Sequence, residues 1–166
     1  MARFKVFNGP MPTTAAFAAV ATGTLIKTML QLKATNFYKI NAWGISFDGS
    51  AAAQPVVVSL GETGTVFATV TAFVDNDIIK LDGADQAAGS VNGITFTTTG
   101  SGYTASAEGA ITIQRPFDIQ EVAPTNQYIY QFPLGQEPKC VIGNSMRIMV
   151  KAAGTVNAIC WVEIEI

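Results

Sequence analysis

Two acidic residues, Glu163 and Glu165, have the type and spacing that carboxylate chemistry requires. Residues i and i+2 of a strand share one face about 7 Å apart, which is close to the carboxyl separation in glycosidases. The alternation of Cys160, Val162 and Ile164 places both glutamates on the outer side of a strand. Acidic residues on an outer strand face ordinarily serve solvation, so we expect no catalytic role for them and rank a glycoside hydrolase last.

A second acidic cluster comprises Asp75, Asp77, Asp82 and Asp85. Calcium in proteins prefers several carboxylate and carbonyl oxygens, so this cluster is a candidate calcium site. Its spacing does not match an EF-hand loop, and Lys80 adds a positive charge among the acids. We therefore expect a solvated loop without a bound metal.

Other catalytic motifs are missing from the sequence. There is no histidine, which removes Ser-His-Asp and Cys-His catalysis and most zinc sites. Gly100-Ser101-Gly102-Tyr103 looks like a phosphate loop but lacks the lysine and helix that should follow it. Cys140 and Cys160 are too few for a disulfide framework, so we expect buried free thiols; a bridge would need Cα atoms within about 7 Å. The sequence thus predicts no enzyme activity and no cofactor.

The aromatic residues are the remaining candidates for a ligand surface. Their strand-like positions favour packing in the core, so no small-molecule site is expected. Trp161 is the exception, because its side chain is predicted to point to the face of the strand away from Cys160 and Val162. It is therefore a candidate subunit contact. The aromatic residues assigned to packing are Trp43, Phe47, Phe67, Phe73, Tyr128, Tyr130 and Phe132.

Composition points to a protein that is covered by neighbours. Hydrophobic residues make up 49% of the 166 residues and charged residues only 13%, against about 25% charged in an ordinary domain. This deficit favours an oligomer or part of a larger assembly; the alternative is a neutral, threonine-rich monomer.

The net charge is −2 and the cations are scattered, so nucleic-acid binding is not expected. No apolar window approaches about 18 residues, and Pro10 and Pro12 argue against a signal peptide, so no membrane contact is expected.

The elements that hold these residues read as short strands. Apolar residues recur mostly with a period of two between Asn-Gly and Asp-Gly turns. Trp43, Ile45 and Phe47 share one predicted core face. About 8–11 strands at this spacing predict an all-β, jelly-roll-like antiparallel β-sandwich or barrel, with a single domain over residues 25–166. Pro10 and Pro12 predict that residues 1–24 form an extended N-terminal arm.

Several segments carry more specific expectations. Residues 25–33 are predicted to form a strand with Ile26, Leu30 and Leu32 inward, and a helix is the alternative. The last two runs, 146–152 and 157–166, read as a hairpin around Ala153-Gly154. Further strands are expected over 56–60, 66–73, 93–99, 128–132 and from 111 to Pro116, with short helical turns compatible with 13–21 and 84–88.

Five segments together resemble a family of tailed-bacteriophage structural proteins, the capsid decoration (cement) or minor head proteins with a jelly-roll-like fold. The resemblance runs from about residue 24 onward. Its segments are Ile26-Lys27-Thr28-Met29-Leu30-Gln31, Trp43-Gly44-Ile45-Ser46-Phe47-Asp48-Gly49-Ser50, Glu108-Gly109 followed by Arg115, Phe132-Pro133-Leu134-Gly135, and Met146-Arg147-Ile148.

This resemblance implies homotrimers on the outside of the capsid, joining neighbouring copies of the major capsid protein after assembly in the bacterial cytoplasm. It carries no catalytic residues. We nominate the arm and the outer face of the last strand as contacts, namely Phe4, Phe7, Pro10, Pro12, Phe17, Trp161, Glu163 and Glu165. The alternative function is a receptor- or carbohydrate-binding module of a tail tip or head fibre, which the aromatic residues would serve.

Overall fold

The computed structural model describes residues 2–50, 53–82, 90–91, 94–96, 99–109 and 113–166. These residues form two large antiparallel sheets around one apolar core, with a 3-10 helix at Asp75–Asp77 and no α-helix. The all-β antiparallel sandwich expected from the sequence is therefore confirmed. Its jelly-roll connectivity stays a prediction.

Sheet A contains six strands: β1 (Arg3–Phe7), β2 (Val20–Ala21), β4 (Lys39–Phe47), β7 (Ile79–Lys80), β12 (Gln127–Gln131) and β14 (Asn157–Glu165). Their order across the sheet is β12-β4-β14-β1-β7, and β2 pairs with the beginning of β14. The centre of sheet A is therefore made by the first and last long strands of the chain together with β4.

Sheet B also contains six strands: β3 (Lys27–Lys33), β5 (Val56–Thr63), β6 (Thr69–Ala72), β10 (Gly102–Ala107), β11 (Ile113–Val122) and β13 (Ser145–Lys151). Their order is β11-β5-β13-β3-β10-β6, and a separate ribbon pairs β8 (Ser90–Val91) with β9 (Ile94–Thr95). Ten of the fourteen strands in the described residues are longer than two residues, which agrees with the 8–11 expected.

The core lies between the two sheets and follows the predicted alternation. Trp43, Ile45 and Phe47 of β4 are buried, as the sequence predicted. The inward residues of β5, namely Val56, Val58 and Leu60, are also fully buried, and so are Cys160, Val162 and Ile164 of β14. Burying one such aliphatic side chain contributes about 1.5–3 kcal/mol, so these strands supply much of the stabilisation.

The predicted C-terminal hairpin is wrong. β13 lies in sheet B between β5 and β3, whereas β14 lies in sheet A between β4 and β1. The chain at Ala153-Gly154 therefore passes from one sheet to the other and does not join two hydrogen-bonded neighbours. Both strands have a buried apolar face, and such faces can meet across a sandwich as readily as they can lie side by side in one sheet.

The N-terminal segment does not form an extended arm throughout. Arg3–Phe7 is strand β1, paired with β14 on one side and β7 on the other, and Phe4 is fully buried. Asn8 is also buried; its side chain accepts a hydrogen bond from the Cys160 N–H (2.8 Å) and donates to the Ala158 carbonyl (3.0 Å). The alternation of Phe4 and Val6 with polar residues explains why this segment enters the sheet.

The remainder of that segment folds back on the sandwich. Met11 N–H donates to Asp77 Oδ1 at 2.9 Å, and Thr22 exchanges hydrogen bonds with Val156. Residues 13–19 contain bends and irregular chain, followed by β2, so the short helix compatible with residues 13–21 is absent. The helical turn considered for residues 84–88 lies outside the described residues.

Four further strand predictions are confirmed only in part. Residues 27–33 form a strand with Leu30 and Leu32 buried, but Ile26 precedes the strand and is 39% exposed, so its inward assignment is wrong. Strand β11 continues through Pro116, which an edge strand tolerates because its outer N–H positions need no partner. The strand expected over residues 66–73 is limited to Thr69–Ala72, and only part of residues 93–99 is described.

One half of the outer face of sheet B is covered by the chain itself. Gln31 Oε1 accepts from the Ala68 N–H (3.0 Å), and Gln31 Nε2 donates to the Gly100 carbonyl (2.9 Å). The neighbouring Arg147 is fully buried and donates to the carbonyls of Val66 (2.6 Å) and Glu108 (3.1 Å). Burial lowers the pKa of Arg147. The other half of this face is open.

Candidate functional site

Most of the predicted contact residues come together on the outer face of sheet A. Phe7 and Trp161 are direct partners across β1 and β14, and the Phe17 ring lies 5.7 Å from the Phe7 ring. Phe4 is an exception, since it belongs to the core and cannot serve as an outer contact in this fold. We call this surface the Trp161 face, which comprises Lys5, Phe7, Phe17, Gly44, Ile129, Trp161 and Glu163.

Trp161 lies directly over Gly44 of the neighbouring strand. A Cβ atom on residue 44 would fall 2.7 Å from two atoms of the indole, well inside van der Waals contact. Gly44 therefore provides the close approach that allows this large ring to pack on the sheet. Ile129 of β12, which is 57% exposed, is the partner of Gly44 on its other side. An apolar row thus runs from Ile129 through Trp161 to Phe7.

Charged side chains border this apolar row. Lys5 Nζ lies 3.6 Å from the centroid of the Trp161 ring and 2.9 Å from Glu163 Oε1. A cation over an aromatic face is stabilising by about 0.5–2 kcal/mol, depending on solvent access. Lys5 and Glu163 are direct partners in the β1–β14 register, so the strands themselves hold the pair in place.

The two candidate carboxylates each have a cationic neighbour. Glu163 pairs with Lys5, and Glu165 lies 3.8 Å from Lys39 Nζ and accepts from Asn41 Nδ2 at 3.3 Å. Both glutamates are on the outer side of β14, as predicted. Pro10 and Pro12 of the contact set lie in an exposed, irregular segment and line a hollow together with Phe17 and with Tyr103 of sheet B.

A second apolar surface, not foreseen from the sequence, lies on the open half of sheet B. It is a groove of about 220 Å³, and Ile119 at its side is 53% exposed. We call it the sheet B groove; its lining residues are Ile26, Val57, Ser59, Ile113, Ile119, Met149, Val150 and Lys151. The continuous run Val56-Val57-Val58 was a signal for it, because Val57 must point away from the core when its neighbours point inward.

Two aromatic residues of sheet A, Trp43 and Tyr128, are hydrogen-bonded to sheet B and so join the two sheets. Asp118 of β11 accepts hydrogen bonds from Trp43 Nε1 (3.1 Å), Tyr128 Oη (2.7 Å) and Gln120 Nε2 (3.0 Å). Burial first, and then the hydrogen bond to Asp118, raises the pKa of Tyr128. Tyr130, the next inward-facing position of β12, is 37% exposed, so its assignment to core packing is wrong. Its ring is parallel to that of Tyr128, with 6.5 Å between ring centroids.

Two residues of the acidic cluster, Asp77 and Asp82, hold local structure together. Asp77 is buried and accepts from the backbone N–H groups of Met11 (2.9 Å) and Val74 (3.0 Å). Asp82 pairs with Arg3 at 2.9 Å, and the hydrogen bond from that guanidinium lowers the pKa of Asp82. Asp85 lies outside the described residues. Within the part of the chain that is described, no group of three metal-ligating side chains occurs.

Both cysteines are free and buried, as expected from their number. Burial raises the pKa of the Cys140 thiol to about 12 and also raises the pKa of Cys160. The thiols therefore act as small apolar groups in the core. None of the described helices has the length and apolar character needed to cross a membrane.

Comparison of the chain with protein-family models, with curated proteins and with solved structures finds no match. The resemblance to phage head proteins therefore rests on the sequence segments alone. The two outer faces supply the structural argument about function.

Proposed function

We propose that this chain is a structural protein of a tailed-phage virion that decorates the outside of the head and holds neighbouring major capsid subunits together. The observation that carries the proposal is the pair of apolar surfaces on opposite sides of one sandwich, the Trp161 face and the sheet B groove. A protein that joins neighbours needs two separate contact surfaces on a stable body. The sequence resemblance to phage head proteins is the reason for proposing a phage head as the particle to which the chain binds.

The Trp161 face is the better candidate for contact with the capsid shell. Tryptophan, tyrosine and arginine side chains dominate binding energy at protein interfaces when they lie at the centre of a contact. Trp161 is half-buried in the single chain. Trp161 is held on Gly44, so it loses little conformational freedom when a partner covers it. The surrounding Lys5 and Glu163 form the polar rim typical of such interfaces.

The proposed partners are the major capsid protein and further copies of this chain, on the capsid surface of the virion. The threefold arrangement that the resemblance implies belongs to this proposal and applies to copies bound on the capsid exterior, not to the free chain in solution. Copies bound next to each other on the capsid lattice increase each other's affinity, because a bound copy raises the effective concentration of its neighbour's binding surface.

Purified heads that lack the protein provide the test. Adding the protein back should restore resistance to heat and osmotic shock. Trp161→Ala should weaken binding to the heads by roughly thirtyfold, as expected for a central interface residue. Leu134→Ala is the matched control, because Leu134 is 97% exposed and lies outside both surfaces. Equal stability of heads with and without the protein, together with its absence from purified particles, would contradict the proposal.

A second candidate function, a receptor- or carbohydrate-binding module, is favoured by the exposed Tyr130. Its ring is parallel to Tyr128 and meets the Phe132 ring edge-on at 5.0 Å, so an aromatic surface is available at the edge of sheet A. Glycan-array binding that is lost in Tyr130→Ala would support this function. Immunogold labelling of the tail and not the head would also favour it over capsid decoration.

A further inference from the structure

The open half of sheet B carries two rows of side chains that cross β11, β5 and β13. In the first row, Val57 lies between Glu121 and Lys151. In the second row, Ser59 lies between Ile119 and Met149. Strand β5 lies in the middle of both rows. In each row the β11 residue and the β13 residue lie at similar distances from β5, on opposite sides of it.

The first row has opposite charges at its two ends. Glu121 and Lys151 are both exposed, and neither forms an ion pair within the described residues. Their strands are separated by β5, so their backbones lie about 10 Å apart. The apolar groove lies between them, with Val57 37% exposed in the middle.

We infer that the sheet B groove binds the same groove of a second copy of this chain, about a two-fold axis that runs parallel to β5. Rotation about such an axis exchanges the two sides of the midline. Lys151 of one copy then lies over Glu121 of the other, and Glu121 lies over Lys151. Ile119 of each copy then lies over the Met149 position of the other copy. Met149 is only 3% exposed in the single chain, so Ile119 (53% exposed) and Val57 (37% exposed) provide the apolar contact.

This arrangement is self-complementary, which is what a two-fold contact requires of a single surface. Two sheets packed with their strands nearly aligned lie about 10 Å apart and interdigitate their side chains, and this is the geometry that the axis produces. Burial of the groove also removes an exposed apolar patch from water. The inference rests on the proposed function only in treating the groove as a protein contact.

Sedimentation equilibrium of the purified chain over a wide concentration range tests the inference without any phage particle. We expect a monomer–dimer equilibrium that Ile119→Lys disrupts. Ile129→Lys is the matched control, because Ile129 is equally exposed but lies on the Trp161 face of the other sheet. A monomer at all concentrations, a trimer, or a dimer that tolerates Ile119→Lys would overturn the inference.

Charge reversal tests the axis itself with substitutions at exposed positions that should not disturb folding. Lys151→Glu and Glu121→Lys should each raise the dimer Kd by roughly tenfold, equivalent to about 1.4 kcal/mol, because two attractive pairs become repulsive. An equimolar mixture of the two variants should recover dimers, since both pairs across the heterodimer are then attractive. Failure of the mixture to recover would exclude this two-fold contact.

These experiments distinguish failure of the two-fold contact from failure of the proposed capsid decoration. A dimer in solution with no binding to heads would retain this inference and remove capsid decoration. Binding to heads by a chain that stays monomeric would do the reverse. Inhibition of head binding by Ile119→Lys in a monomeric chain would assign the groove to the capsid protein and overturn the two-fold contact.

Discussion

Trp161 packs over Gly44 so closely that any side chain at position 44 would overlap the indole. The two residues face each other across β14 and β4, and Lys5 covers the ring from the next strand. A glycine in the middle of a strand normally weakens the sheet, so its presence here indicates that the close approach of the ring is important. This contact determines the shape of the Trp161 face.

Gly44→Ala should destabilise the protein by about 1–3 kcal/mol, because the added methyl group forces the indole or the strand to move. Urea unfolding measures this change. Gly154→Ala is the control, since a Cβ at Gly154 would meet no atom within 4 Å, and it should change stability by less than about 0.5 kcal/mol. Adding Trp161→Ala to Gly44→Ala should remove most of the penalty; equal penalties with and without the ring would contradict the explanation.

Asp118→Ala should cost about 1–3 kcal/mol, because Trp43 is fully buried and its Nε1–H would lose its acceptor. The free energy of unfolding in urea is again the measurement. Gln120→Ala removes a donor to the other oxygen of the same carboxylate and should cost less, because it leaves no buried indole N–H unpaired. A smaller loss for Asp118→Ala than for Gln120→Ala would show that this network does not join the sheets.

Stability should fall at alkaline pH because the buried thiols resist ionisation. Burial raises the pKa of Cys140 to about 12 and raises that of Cys160, whereas an unfolded thiol ionises near pH 8.5. A folded pKa above the unfolded value gives stability that is complete below about pH 8.5 and is lost as the pH rises toward 12. Each thiol contributes a slope of about 1.4 kcal/mol per pH unit in that window.

Urea unfolding between pH 7 and pH 10 checks this slope. Cys160→Ala should be less stable at pH 7 because of the lost packing, but its stability should fall less steeply with pH. Tyr38, whose pKa burial raises well above its usual value, contributes a further decline at the top of the range in both proteins. Identical slopes for the two proteins would contradict a buried, neutral Cys160.

Local alternation was sufficient to predict which faces of the long strands are buried. Trp43, Ile45 and Phe47 were assigned to the core correctly because each strand has one apolar face whichever sheet contains it. The same reasoning failed for the last two strands, because a buried face does not tell which strand is the hydrogen-bonded neighbour. The turn at Ala153-Gly154 connects two sheets instead of closing a hairpin.

The site was predicted in part. The outward positions of Trp161, Glu163 and Glu165 followed from the alternation of β14, but the partnership of Trp161 with Gly44 and Lys5 depends on register between strands distant in sequence. The sheet B groove was missed for the same reason, since β11, β5 and β13 meet only in the folded sheet. Pro10 and Pro12 disfavour regular structure only near themselves, so they do not prevent residues 3–7 from forming strand β1.

A cryo-EM reconstruction of the intact phage particle tests the central claim most directly, because it gives location, symmetry and orientation together. Capsid decoration predicts density for this β-sandwich on the outside of the head, with Trp161 in contact with the major capsid protein. A head surface without this density, or density for the sandwich in the tail alone, would contradict the proposed function.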